Sequence, residues 1–141
     1  MPTRKASARW DGGLKGGKGS FKAESGVIGG TYSFGSRFES AGGTNPEELL
    51  AAAEAACFSM ALSGALEKAG MAPAWVETDA ACTVEKVTEG FGITSIKLKT
   101  RASVPGADAA KFQEIAQATK AGCPVSKALA GTKIEVEATL A

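Results

Sequence analysis

One stretch limits the possible folds more than any other: GGTNPEELLAAAEAACFSMALSGALEKAG, residues 42–70. It predicts a single long helix. Thr44 or Asn45 can cap it, each with a glutamate three positions on, Pro46 suits the first turn, and Gly70 stops it. Leu50, Ala53, Cys57, Met60 and Ala61 recur at helical spacing, yet most other positions are Ala, Leu or Phe as well. A helix apolar almost all round is expected to be buried on every side. Glu54 and Ser59 interrupt the apolar run, so no stretch of about 18 residues reads as a membrane span. The leading MPTRKASARW lacks the apolar segment of a signal peptide, and a cytoplasmic protein is expected.

The rest of the chain must cover that helix. KASARWDG, KGSFKAES and TYSFGSRFE, separated by glycine-containing turns, predict a three-stranded antiparallel meander. After the helix, WVETDAACTVEKV alternates, with Val76, Thr78, Ala80, Cys82 and Val84 on one side. GITSIKLKTRASV does so more clearly, setting Ile96, Leu98, Thr100, Ala102 and Val104 opposite Lys97, Lys99, Arg101 and Ser103. The two form a hairpin pair with one wet face. DAAKFQEIAQATKAG predicts an amphipathic helix with Ala109, Phe112, Ile115, Ala116 and Thr119 inward, CPVSKALAG a short second helix, and TKIEVEATL a closing strand. The order β-β-β-α-β-β-α-α-β is α+β, with antiparallel sheets around a central helix, and 141 residues suit one domain spanning 1–141.

Composition removes several kinds of function. Sixteen basic against fifteen acidic side chains, with no block of either sign, give no electrostatic footprint for nucleic acid or an anionic membrane. The chain has no histidine, which excludes Ser-His-Asp and Cys-His catalysis and imidazole proton shuttles. Cys57, Cys82 and Cys123 form no CxxC pair and no even-numbered set that would suggest a secreted disulfide framework. An activated thiol in this chain must rely on arginine, lysine or helix termini.

Each candidate residue has a plain reading beside a chemical one. Cys57 can serve as a small core hydrophobe, as buried cysteines usually do, or as a thiol that the helix delivers to a site. Cys123, between Gly122 and Pro124, falls at the first turn of a helix, where unpaired N–H groups favour an anion. It can equally be a thiol without function. Cys82 belongs to the inward set of a strand and is assigned to the core. Arg37, expected at a strand end before the glycine-rich entry to the long helix, is either a solvated arginine or a cation aimed into a cleft. Glu47 is either a first-turn glutamate serving the helix dipole or part of that site.

Three segments in order, SRFE, GTNPEELLAAAEAACFSMALS and CPVSKAL, resemble the signatures of the OsmC/Ohr family of hydroperoxide reductases, and SMALS and CPVSK are similar to its OsmC branch. The resemblance covers nearly the whole chain. It implies an intertwined homodimer around long central helices and a two-cysteine peroxidase chemistry that uses no metal or other cofactor. By the same resemblance Cys57 is the peroxidatic thiol and Cys123 the resolving thiol that closes a disulfide with it. Arg37 is the arginine that steadies the thiolate, and Glu47 the carboxylate that orients the arginine. Organic hydroperoxides are the implied substrates, hydrogen peroxide a second one, and a lipoylated protein or thioredoxin the kind of dithiol donor. One departure stands out: Glu54 occupies the position where the family commonly has histidine. At i and i+3 it shares a face with Cys57, so its charge is expected to raise the thiol pKa.

Helix geometry adds an expectation about assembly. Glu47 and Cys57 are ten residues apart, roughly 15 Å along one helix, so each site is expected to use Cys57 and Cys123 of one chain with Arg37 and Glu47 of its partner. The alternative function is a redox-sensing or small-molecule-binding protein of the same fold without rapid turnover.

Overall fold

The computed structural model describes all of residues 1–141. They divide into two compact units, Met1–Glu48 and Leu49–Ala141, with the boundary inside the long helix.

In the first unit, β1 (Ala6–Asp11), β2 (Lys18–Ala23) and β3 (Gly29–Tyr32) form the expected antiparallel meander. The rings of Trp10 and Phe21 flank Tyr32 at 5.5 and 6.2 Å. Gly19 permits this layer, because a Cβ there would come within 2.5 Å of the Tyr32 ring. The third strand is shorter than TYSFGSRFE suggested. It ends at Tyr32, and the chain turns into a five-residue helix, α1 (Phe34–Phe38). The cause is a capping box: the Ser33 hydroxyl accepts from the Ser36 amide at 3.0 Å and the Ser36 hydroxyl accepts from the Ser33 amide at 2.8 Å. Arg37 therefore stands on a helix, not at a strand end.

The long helix, α2, runs Pro46–Lys68. Of the two cap candidates, Asn45 accepts from the Glu48 amide at 2.8 Å. At the other end Gly70 takes φ +78°. The Met71 amide then bonds the Leu66 carbonyl and the Gly70 amide that of Glu67, a Schellman stop. The expectation of burial on every side fails within one chain. Glu54, Phe58, Leu62 and Leu66, spaced by four, are wholly buried. Ala53 and Met60, two of the apolar residues at helical spacing, are exposed, Met60 at 81%. By length and composition α2 would also suit a membrane span, contrary to the sequence expectation, and only 22% of its most apolar stretch is buried. Its buried stripe nevertheless packs as a core helix does, against Ile96, Leu98, Phe112 and Ala116.

The second sheet holds β4 (Trp75–Lys86), β5 (Phe91–Ser103) and β6 (Lys133–Leu140) in the order β4-β5-β6. Ile96, Leu98, Thr100 and Ala102 face the core and Lys97, Lys99 and Arg101 face outward, as their alternation predicts. The β4–β5 pair is antiparallel. The β5–β6 pair is parallel, from Ser95 opposite Lys133 to Ala102 opposite Leu140, so the sheet is mixed and not antiparallel throughout. Two helices, α3 (Ala109–Gly122) and α4 (Pro124–Ala128), supply the crossover that a parallel pair requires. Asp108 caps α3 through the Lys111 amide. Phe112, Ala116 and Thr119 are its buried face, while Ala109, expected inward, is exposed in the first turn.

Hydroxyl groups hold α2 to the sheet. Ser59 donates to Thr78 at 2.8 Å, Thr78 and Thr100 share a bond of 2.9 Å, and Thr100 donates to the Glu77 carbonyl. This fixes the rotation of the helix two residues beyond Cys57.

Candidate active site

The four sequence candidates come together as two pairs, one in each unit. In Met1–Glu48, hydrogen bonds draw α1 to the entry of α2. The Ser36 hydroxyl donates to the Thr44 carbonyl at 2.8 Å and the Asn45 amide to the Ser36 carbonyl at 3.1 Å. Arg37 then reaches Glu47, with Nε and Nη2 at 2.9 and 2.8 Å from the same oxygen, Oε1. The Glu47 side chain is only 6% exposed and that of Arg37 37%, and the guanidinium carbon lies 5.1 Å from the centre of the Phe38 ring. Glu47 Oε2 is buried without a partner. Since Asn45 caps the helix, Glu47 is left to hold the arginine.

In Leu49–Ala141, Cys57 and Cys123 lie within hydrogen-bond reach of each other. Cys57 is half-buried and Cys123 wholly buried. Cys123 ends α3 and starts α4 in extended backbone (φ −61°, ψ 130°); its amide donates to the Thr119 carbonyl and its side chain makes no capping bond. Burial pushes the Cys57 thiol up from its ordinary pKa, and the hydrogen bond with Cys123 and the charges of Cys123 and Glu54 add to this. The Val125 amide, bonding the sulfur, pulls it down. The direction expected of Glu54 is thus found, but it is a minor cause beside burial. These surroundings favour a thiol, so a reactive Cys57 needs a further cation. Cys82 lies on the inward side of β4, opposite Ile96 and packed against the core, as assigned from sequence.

Two participants escaped sequence reasoning. The Ser126 hydroxyl donates to Glu54 Oε1, and the Val125 amide meets Cys57. The usable signal was the spacing in CPVSK, which puts Ser126 three residues past Cys123 on a short helix. Beside Cys123, an open, mostly apolar groove of about 520 Å³ runs between α2 and α3, past Ala61, Ala65 and Ile115 to Lys68 and Lys111.

The family model described as OsmC-like protein matches residues 39–138, which include all four candidates except Arg37. The chain belongs to the OsmC-like protein family. Among OsmC-like relatives, Peroxiredoxin OsmC of Escherichia coli (strain K12) is 52% identical over 127 residues, 89% of each chain. The organic hydroperoxide resistance protein of Xanthomonas axonopodis pv. citri (strain 306) is 39% identical over 101 residues, 70% of this chain and 68% of that protein. The crystal structure of the organic hydroperoxide resistance protein OhrB of Bacillus subtilis superposes with a TM-score of 0.74 at 29% identity, covering 99% of this chain and 98% of that one. The OsmC-like architecture read from the sequence is therefore found, with α1 and the parallel β6 as its corrections.

Proposed function

We propose that the protein is a thiol peroxidase that reduces organic hydroperoxides to alcohols, with hydrogen peroxide as a second substrate. The proximity of Cys57 and Cys123 carries this reading. The Cys57 thiolate attacks the distal peroxide oxygen, the O–O bond breaks, and the alkoxide leaves as the alcohol after taking a proton. Cys57 is left as a sulfenic acid. Cys123 attacks that sulfur, water departs, and a Cys57–Cys123 disulfide stores the oxidising equivalents. An external dithiol, such as a lipoylated protein or thioredoxin, returns both thiols by exchange. The sulfurs carry both electrons, so the cycle asks for no cofactor. The apolar groove beside Cys123 suits an organic substituent, and the relatives named for peroxiredoxin and organic hydroperoxide resistance support the same substrate class.

The raised Cys57 pKa sets the remaining requirement. A guanidinium stays protonated at any working pH and matches an anion with its planar fork. The site is a homodimer interface in this reading: the partner subunit's Arg37, oriented by the partner subunit's Glu47, meets Cys57 and Cys123. The uncovered apolar face of α2, with Met60 81% exposed, supports such a contact. The chain then works as one domain in the cytoplasm, which the 99% coverage by OhrB favours for the domain. The same raised pKa favours a second reading, a slow redox sensor.

Peroxide consumption with a dithiol donor tests this. Wild type should turn over and Cys57→Ser should not, because a hydroxyl is a poor nucleophile at neutral pH. Turnover in the serine variant would overturn the peroxidase, and a single slow oxidation without turnover would select the sensor. Mixed Cys57→Ser and Arg37→Ala chains should regain activity, since a heterodimer contains one intact shared site.

A further inference from the structure

Glu54 is a carboxylate that the cycle above does not use. Its side chain is wholly buried at 0% exposure, Oε2 has no partner, and Oε1 accepts from Ser126. A buried carboxyl group so poorly satisfied is costly, and its retention asks for a reason. The surroundings supply one. Cys123 is the hinge between α3 and α4, in extended backbone, and α4 is only five residues long. The side-chain hydrogen bond that leaves α4 is the one from Ser126 to Glu54. One turn further along α2, the Val125 amide meets Cys57. The start of α4 therefore lies over a single turn of α2, Glu54 to Cys57, and the bond from Ser126 to Glu54 holds it there.

We propose that Glu54 is a positioning residue for the resolving step: through Ser126 it holds α4, and with it Cys123, against the turn of α2 that carries Cys57. The inference rests on the two-thiol reading above. Disulfide closure requires one sulfur to approach another along the S–O axis, and a small misplacement of a reacting atom is enough to cost a large factor in rate. Without the clasp the Cys123 hinge opens more often, the sulfenic acid waits longer, and further oxidation to sulfinic acid competes. Closure itself remains balanced: the Cys123 S–H proton and the Cys57 hydroxyl leave together as water while the S–S bond forms.

The experiment separates attack from closure. Reduced protein is mixed with one equivalent of tert-butyl hydroperoxide, and mass spectrometry follows trapped Cys57 sulfenic acid and Cys57–Cys123 disulfide over time. Ser126→Ala should slow closure about tenfold or more while attack changes by less than about threefold, and in a parallel run with excess hydroperoxide, which supplies the second oxidising equivalent, sulfinic acid should accumulate. Glu54→Gln, which keeps an oxygen for Ser126, should retain fast closure. Glu54→Met with Ser126→Ala removes both buried partners at once, which spares the fold an orphaned group, and should close as slowly as Ser126→Ala. Closure within about twofold of wild type in that pair, with wild type itself closing, would overturn the clasp alone. Absence of the disulfide in wild type would overturn the two-thiol reading and the clasp with it.

Discussion

Removing Arg37 should destabilise the protein more than removing Arg37 and Glu47 together. Both guanidinium bonds end on Oε1 of a carboxylate that is 6% exposed, whereas the guanidinium side is 37% exposed. A pair in open solvent is worth about 0–1 kcal/mol. Hydrogen bonds to a charged group contribute about 1.5–3 kcal/mol. The exposed arginine end places the coupling near the lower part of that range, about 1.5–2 kcal/mol. Arg37→Ala leaves both Glu47 oxygens without partners in a buried place, since Oε2 already has none. The double variant Arg37→Ala/Glu47→Ala removes the stranded charge as well, and should recover part of the loss. Urea unfolding of the four proteins at one fixed concentration gives the coupling, because self-association would add a concentration term. With an m-value of about 2 kcal/mol per M, the coupling amounts to about 0.8–1 M in midpoint. A coupling below about 0.5 kcal/mol would refute the reasoning and reduce the pair to an ordinary surface contact. Peroxide kinetics on the same set should show Glu47→Ala, which keeps the arginine but not its orientation, losing about 10- to 100-fold in kcat/KM.

Met60→Asp should break self-association without unfolding the chain, since Met60 is 81% exposed in the single chain and only an opposing surface would bury it; an unchanged dimer by analytical ultracentrifugation would move the interface off α2. Cys57 alkylation at pH 7 should be slower than for an ordinary thiol in dilute protein, and the proposed homodimer predicts that it accelerates at higher concentration. Because the Cys57 pKa in the single chain is raised above 9.0, its contribution to stability is complete below pH 9 and is lost as pH rises through the folded value. The urea midpoint of monomeric wild type should therefore fall with alkaline pH more steeply than that of Cys57→Ser, and parallel curves would contradict the shift.

Most of the fold was legible in the sequence because local chemistry determined it. Alternation fixes the inward faces of β4 and β5, Pro46 and Gly70 bound α2 while the choice of Asn45 over Thr44 as its cap came with the structure, and the apolar spacing of DAAKFQEIAQATKAG announces α3. The misread piece, TYSFGSRFE, failed for a local reason too: serine as the return partner in the Ser33–Ser36 box is a weaker signal than glutamate or glutamine, and the aromatic spacing suggested a strand. The site was legible as residue types and order. Cys57, Cys123, Arg37 and Glu47 could be named, with their roles implied by resemblance, but no spacing along the chain says which side chains touch.

Only the tertiary structure decided those contacts. A helix with apolar residues on every side carries no periodic signal to choose its buried face, so packing chose Glu54, Phe58, Leu62 and Leu66 over the stripe through Met60. Glu54 and Ser126 are 72 residues apart, and their bond exists because the α3–α4 crossover lays α4 over α2. The parallel pairing of β6 likewise follows from where that crossover ends. Sequence determined which groups were present and in what order; the packing of α2, a helix apolar on nearly every side, determined which carboxylate would meet which hydroxyl beside the thiols.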